Sequence, residues 1–393
     1  DKPSSLGRMA LSQVRREGPL LVREYIDKVL YGGPKSYFNS GQRIIRKASL
    51  SFNDMDGPKD YQKALHDLYW SSSDGWLTPV EIFQPTYARG ILSWIMSKFD
   101  QDSRLQIVEI GCGTGTCALN ILDEIRDHYQ SLYSSSSYSL VDISEQYSQI
   151  QQEALKSNGH SELCHFHRTS AADIPPLTYL DKSIPTFVIG LECLDNLSHD
   201  KICDHEQVMV EPDTDLSSPW METQVLLSDP LIKEYIDIIN TSDQLQSLGA
   251  LSKIMYMESC EYIPTTALAF LKGMINEIPN HHLLLADFSS LPNTIPGAVN
   301  SPIVAERSLE TAGDTIDHDT YLLAPGIRAD IFFPTDFEKL KYVYEYLRGH
   351  PNATRVQTTA EFMMEYANTD ECRTRSGYNP LLEDYSNTHI LTS

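Results

Sequence analysis

The sequence predicts an α/β protein: a parallel sheet with helices packed on both faces. Two observations carry that prediction. From Leu105 onward, short apolar runs alternate with helix-length amphipathic stretches, the order that builds parallel sheets. Directly after the first of those runs, "IVEIGCGTGTC" (107–117) puts glycine at every second position before a helical stretch, as at the ligand-binding edge of open α/β sheets. The composition agrees, because 393 residues with 41% hydrophobic and 22% charged side chains can bury a sizeable core.

The elements follow in order. Residues 9–31, "MALSQVRREGPLLVREYIDKVLY", predict two short amphipathic helices broken at Gly18-Pro19. A turn-rich aromatic stretch, "GGPKSYFNSG", leads into a polar, irregular segment, and "LTPVEIFQPTYARGILSWIMSKF" (77–99) reads as a loop followed by a helix. Residues 1–100 are therefore expected to form a helical, loop-rich N-terminal region. Beyond them "LQIVEI" is a buried strand and 116–129 a helix. After a serine-rich link at 134–137, "YSLVDI" is a second strand and 144–157 a helix. "ELCHFHR" is a third strand, "PTFVIGL" (185–191) a fourth and "HHLLLADF" (281–288) a fifth, the last preceded by a helix at 264–277. Within an insertion near 205–262, "EPDTDLSSPWMETQ" is read as loop, and "HDTYLLAPGIRADIFFP" as hairpin-like. No internal repeat is visible.

Charge and cysteine content narrow the function. Lys+Arg 31 against Asp+Glu 54 gives a net charge of -23, which repels nucleic-acid backbones and anionic membranes and favours a cationic substrate group or a protein partner. Seven cysteines without a C-x-x-C pair predict scattered core thiols in a reducing compartment, not a disulfide framework or zinc site. Cys112 and Cys117 beside the glycines are read as apolar filler, and His165, His167, His281 and His282 as core or surface histidines, not metal ligands. No apolar run approaches the ~18 residues of a membrane span, and whether a targeting segment precedes Asp1 stays open.

The glycine loop is the main functional signal. A dinucleotide fingerprint, G-x-G-x-x-G, would need glycine where Thr116 stands. The form here, E-x-G-x-G-x-G from Glu109 through Gly111, Gly113 and Gly115, resembles motif I of the class I S-adenosylmethionine-dependent methyltransferases. That resemblance implies a mostly parallel seven-stranded Rossmann-like sheet and S-adenosyl-L-methionine as cofactor. The glycines would lie against its methionine and ribose, and Glu109 would accept from its ammonium. Asp142, ending the second strand, can grip both ribose hydroxyls. Asp173 is read either as a contact to the adenine amino group or as a helix N-cap.

A narrower resemblance spans roughly residues 18–345. "GPLLVREYIDKVLYGGPKSYF", "GWLTPVEIFQPTYARGILSWI", "LVDISEQYSQIQQEAL", "VIGLECLDNLSHDKI", "LLLADF" and "LLAPGIRADI" are similar, in order, to segments of the MidA-like methyltransferases. That family includes the mitochondrial arginine methyltransferase that assists assembly of respiratory complex I. The resemblance implies a methyltransferase domain over 101–345 with a C-terminal extension at 346–393. It also implies arginine methylation of a complex I subunit or similar partner, and a mitochondrial matrix location, with the cytoplasm as alternative. Glu192 and Asp195 become the candidates for orienting the acceptor and taking its proton, or else a solvated loop acid and the cap of a helix near Ser198. Glu81 is either a residue closing over the cofactor site or an acid in a helix's first turn. The sequence departs from the family at Leu191, Cys193-Leu194, Ser198 and Phe288-Ser289, so a degenerate scaffold or assembly factor is the alternative function. Homodimerisation stays open, as does a small-molecule acceptor.

Overall fold

The computed structural model describes residues 18–33, 36–39, 48, 50–70, 75–99, 104–213, 220–242, 260–292, 294–308, 315–323 and 328–393. The first of the two expected N-terminal helices lies outside them. The second is α1 (Val22–Tyr31), preceded by the two-residue strand β1 (Leu20–Leu21); then come α2 (Pro58–Trp70), α3 (Pro79–Ile82) and α4 (Thr86–Lys98). The alternating region supplies β2 (Gln106–Ile110), α5 (Thr116–His128), α6 (Gln130–Tyr133), β3 (Ser137–Asp142), α7 (Glu145–Ser157), β4 (Cys164–Arg168) and β5 (Thr186–Leu191). Next are β6 (Asp200–Cys203), β7 (Glu206–Pro212), β8 (Trp220–Leu226), α8 (Pro230–Asn240), β9 (Cys260–Ile263), α9 (Thr265–Glu277) and β10 (His281–Phe288). The chain closes with β11 (Ile303–Arg307), β12 (Thr315–Asp317), β13 (Asp330–Phe332), α10 (Phe337–Arg348), β14 (Arg355–Thr358), α11 (Thr359–Tyr366), α12 (Pro380–Glu383) and β15 (Thr388–Thr392).

The central sheet has seven strands in the order β14-β15-β10-β5-β2-β3-β4. The pairs β10–β5, β5–β2, β2–β3 and β3–β4 are parallel, while β15 runs antiparallel to both β10 and β14. The sheet is mostly parallel, as expected. Its central strands read as continuous apolar runs because both faces are covered. Alternation assigns each side chain to one face: Ile107, Phe187, Ile189 and Leu284 pack under α4, α5 and α11, whereas Val108, Val188, Leu283 and Leu285 pack under α8, α9 and α10.

Four findings correct the sequence reading. Segment 346–393, expected as an extension, supplies β14 and β15 and so completes the central sheet. Part of the "loop" over 211–230 is strand, while 214–219 lie outside the described residues: β7 and β8 pair antiparallel from Glu206↔Leu226 to Pro212↔Trp220, extending a five-stranded sheet with β1, β6 and β9. β8 shows no apolar alternation to read from sequence, because Trp220 is its one buried residue and Val225 and Leu226 are exposed. The hairpin-like segment near 318–334 is no hairpin, since β13 pairs with β11, which also pairs β12. Finally, Cys203 and Cys260 are register partners across β6 and β9 and are joined by a disulfide, while the other five cysteines are free. Fifty-seven residues separate them, so only strand pairing reveals the bond. Among the described residues no helix is long and apolar enough to cross a membrane.

Candidate functional site

Strand order fixes where a ligand can sit. The chain runs outward through β2, β3 and β4, then returns to the other side of β2 as β5. At that reversal the loops after β2 and β5 leave in opposite directions and open a crevice at the strand carboxyl ends. The glycine loop follows β2, and Glu192 follows β5.

Gly111, Gly113 and Gly115 all adopt left-handed backbone, with φ of 70°, 50° and 78°. At Gly111 a side chain is excluded sterically as well, because a Cβ there would lie 2.7 Å from Cys193 Cβ. The loop is clamped from β3 and α7. Asp142 Oδ2 accepts from the Gly113 amide at 3.1 Å, its Oδ1 accepts from the Ser144 amide at 2.9 Å, and Gln151 Nε2 donates to the Gly113 carbonyl at 2.8 Å. Burial raises the Asp142 pKa to about 6, against the downward pull of those hydrogen bonds.

A cavity of about 350 Å³ opens over this loop, within the range of small-ligand sites. Ile110, Gly111, Gly113 and Asp142 line its floor, the turn from Glu192 to Leu197 one wall, and Asp27 and Tyr31 of α1 another. A smaller cavity of about 40 Å³ adjoins it and shares Thr78, Gly111, Gly113 and Glu192. Glu81 and Glu109 line this smaller space. Tyr138 donates to Glu109 at 2.7 Å, yet burial of the strand end still pushes the Glu109 carboxyl up to about 8. Thr114 donates to Glu81, and Thr114 and Thr116 share a 2.8 Å hydrogen bond.

The wall after β5 is acidic. Glu192 has left-handed backbone, φ 49°, held by its amide donating to the Ala286 carbonyl at 2.8 Å. Burial, reinforced by Asp287 and then Glu81, holds its carboxyl well above the ordinary range. Asp287 accepts from the amides of Leu194 (2.8 Å), Asp195 (3.1 Å) and Phe288 (2.7 Å), so it shapes the turn that presents Asp195. Asp195 is raised by burial and by Asp287, Asp330 and Glu192. Asp330, at the start of β13, accepts from Asn196 Nδ2 at 2.7 Å and is raised by burial to about 7. Among the described residues lining the large cavity, Asp27, Asp142, Glu192, Asp195 and Asp330 contribute carboxyls, and there is no Lys, Arg or His.

Of the residues singled out in the sequence, Asp142 and Asp195 line the large cavity, Glu81 and Glu109 the small one, and Gly111, Gly113 and Glu192 both. Gly115 lines neither; it caps α5 and packs on Gln151. Asp173 is exposed and also lines neither, and Ser170, not Asp173, caps its short turn. Its neighbours Thr169, Ser170 and Ala171 line the large cavity instead. No helix follows Asp195: the chain enters β6 at Asp200. Sequence reasoning passed over Asp27, Asn196 and Asp330, although Asp330 lies in the matched "GIRADI" and Asp27 in "REYIDKV".

The residues fit an adenosyl amino acid. Thr78 Oγ1 and Asp195 Oδ1 are buried polar atoms without a hydrogen-bond partner among the described residues, and both residues line the large cavity. The left-handed glycines leave bare backbone beside them, and three acids, Glu81, Glu109 and Glu192, line the small adjoining space. Comparison with known proteins agrees. A family model whose members are described, by inference, as S-adenosyl-L-methionine-dependent methyltransferases matches residues 88–351. The protein arginine methyltransferase NDUFAF7 homolog, mitochondrial, of Saccharomyces cerevisiae is 24% identical over 132 residues, covering 33% of each chain, so the match spans about a third of that relative's length. A Burkholderia thailandensis protein, titled a candidate methyl transferase and crystallised with S-adenosyl-homocysteine, superposes with TM-score 0.66 at 14% identity, over 100% of this chain and 95% of its own. A second structure from that organism gives 0.61 at 13%, over 100% and 94%. At these identities the two structures speak for the fold. The family match covers most of the chain from α4 to α10, and with the glycine loop, Asp142 and the cavity it leads to one conclusion: the chain belongs to this S-adenosyl-L-methionine-dependent methyltransferase family, with S-adenosyl-L-methionine as cofactor.

Proposed function

We propose that the protein methylates an arginine side chain of a protein partner, a respiratory complex I subunit or a similar mitochondrial protein. The observation that carries this reading is the large cavity itself, which has five carboxyls and no basic residue on its described lining. Such a lining favours a cationic acceptor and penalises an anionic one. The match to the yeast arginine methyltransferase supports the acceptor type and the mitochondrial setting.

Bound S-adenosylmethionine supplies a methyl group on a sulfonium, a good leaving group. Glu109 and Glu81 would hold its ammonium, the Gly111–Gly113 backbone its methionine and ribose, and Asp142 the ribose hydroxyls through the capacity left on Oδ1. The acceptor side needs alignment and proton removal, because guanidinium keeps its charge in water and must lose one proton as the new N–C bond forms. Glu192 reaches both cavities, and Asp195 has an oxygen without a partner among the described residues. We assign acceptor orientation to both and proton acceptance to Glu192: burial and the neighbouring acids keep its carboxyl protonated in the empty site, and an entering guanidinium would favour the carboxylate that can take the proton. The proton then passes to solvent, and the methylated guanidinium leaves still charged.

The test is transfer from methyl-labelled S-adenosylmethionine to mitochondrial matrix protein, read as methylarginine by mass spectrometry. Methylarginine on a matrix partner supports the proposal. Cofactor binding without any methylarginine contradicts it and leaves the scaffold reading.

A further inference from the structure

Helix α1 contributes Asp27 and Tyr31 to the lining of the large cavity, and an ion-pair network anchors it. Arg23 lies between two carboxylates: its guanidinium is bidentate to Asp229 at 3.0 and 2.7 Å and also bonds Asp200. Asp200 is buried and accepts from Thr265 at 2.6 Å, and Asp229 caps α8 through the Leu231 and Ile232 amides at 3.0 and 2.9 Å. One guanidinium therefore ties α1 to β6, α8 and the start of α9. Asp27 and Tyr31 follow Arg23 at successive steps of four residues, on the same helix face, and both line the cavity. Tyr31 donates to the Asn196 carbonyl at 2.9 Å, so the helix also bears on the turn that carries Asp195.

The charges in this wall do not close. Arg23 is already matched by Asp200 and Asp229. Asp27 keeps a hydrogen bond from Ser198, but burial outweighs it and lifts its carboxyl to about 6. Asp195, 7% exposed, lines the same cavity, and its Oδ1 has no partner among the described residues. A half-buried acid and a buried one on different walls of one cavity, with no cation on its described lining, are relieved by a cation entering from outside.

We propose that Asp27 is a specificity-determining residue that binds the cationic group of the acceptor from the α1 wall, with Arg23 as the residue that positions it. The inference rests on the cationic-acceptor reading above and adds a residue from the N-terminal region to that site.

The test is calorimetric titration of acetyl-arginine amide, and of the neutral isostere acetyl-citrulline amide, into the full chain saturated with S-adenosyl-homocysteine. The wild type is expected to prefer the arginine probe by about tenfold or more, the worth of one charge-assisted hydrogen bond. Asp27→Asn is expected to lose that preference while keeping its affinity for S-adenosyl-homocysteine, which also reports that the variant has folded. Asp27→Glu should retain the preference. Arg23→Lys should show a smaller loss in the same direction, because a single ammonium cannot bridge Asp200 and Asp229 bidentately. An undiminished preference in Asp27→Asn, or no preference in the wild type, overturns the inference. A wild type that prefers the arginine probe but transfers no methyl group overturns the arginine-methylation proposal and leaves Asp27 assigned.

Discussion

The amide of Gly113 donates to Asp142 Oδ2 at 3.1 Å, joining the turn after the first parallel strand to the end of its neighbour. The carboxylate also holds the Ser144 amide, and Gln151 reaches across to the Gly113 carbonyl. The glycine turn is thus held in its open, left-handed shape by one acid and one amide side chain before any ligand arrives.

Replacing Asp142 by Ala leaves the Gly113 and Ser144 amides without their acceptor. Each buried, unsatisfied amide costs about 1–3 kcal/mol. The variant should melt several degrees lower and bind S-adenosyl-homocysteine at least tenfold more weakly. Differential scanning calorimetry and titration read the two effects separately. Unchanged affinity would show that the loop shape does not depend on the clamp.

Glu109 predicts a pH dependence with a definite sign. Its folded-state value of about 8 stands above the ordinary 4.5, so the folded protein keeps a proton that the unfolded chain releases between those pH values. The contribution to stability is fully present below about 4.5 and disappears as the pH rises through about 8. Thermal midpoints of the ligand-free protein should therefore fall from pH 6 to pH 9, by more in the wild type than in Glu109→Gln. Binding of a ligand ammonium at Glu109 should expel that proton. Titrations in buffers of different ionisation enthalpy, at about pH 7, should then show proton release in the wild type and less in the variant.

The fold was legible where pattern is local, and less so where it depends on partners distant in sequence. "QIVEI", "YSLVDI" and "PTFVIGL" announced themselves because a strand buried on both faces is a continuous apolar run. β14 and β15 escaped because "RVQT" and "THILT" are short and partly polar, and they become strands only by pairing with each other and with β10. The site divides in the same way. Glu109, Gly111, Gly113 and Asp142 sit at strand ends that the sequence marks, and all line one of the two cavities. Asp27 and Asp330 lie more than 300 positions apart, and only the packing of α1 and β13 against the crevice places them on one lining. Asp173 misled for the opposite reason: its position after β4 is right, but the short turn points it outward.

The cross-strand pair Cys203–Cys260 gives a chemical count. Denatured protein without reductant should titrate five thiols, matching Cys112, Cys117, Cys164, Cys193 and Cys372. Reductant should raise the count to seven cysteines and lower the thermal midpoint, since the bond closes a loop of 57 residues worth about 4 kcal/mol by chain entropy. Seven thiols before reduction would contradict the pairing.

Glu192→Gln should separate binding from chemistry. The amide keeps the shape but cannot accept the acceptor's proton, so methyl transfer should fall by roughly 10²–10⁴-fold with S-adenosyl-homocysteine affinity changed by less than about threefold. Equal losses in both would place Glu192 in cofactor binding alone.

The most direct measurement for the whole account is calorimetric titration of S-adenosylmethionine into the wild type and Gly113→Val. Gly113 holds left-handed backbone at φ 50° on the lining of both cavities, where a branched side chain is strained and fills the ligand's approach. Saturable one-to-one binding in the wild type that vanishes in the variant is the predicted result. Equal binding by both proteins, or none by the wild type, would contradict a cofactor seated on the glycine loop.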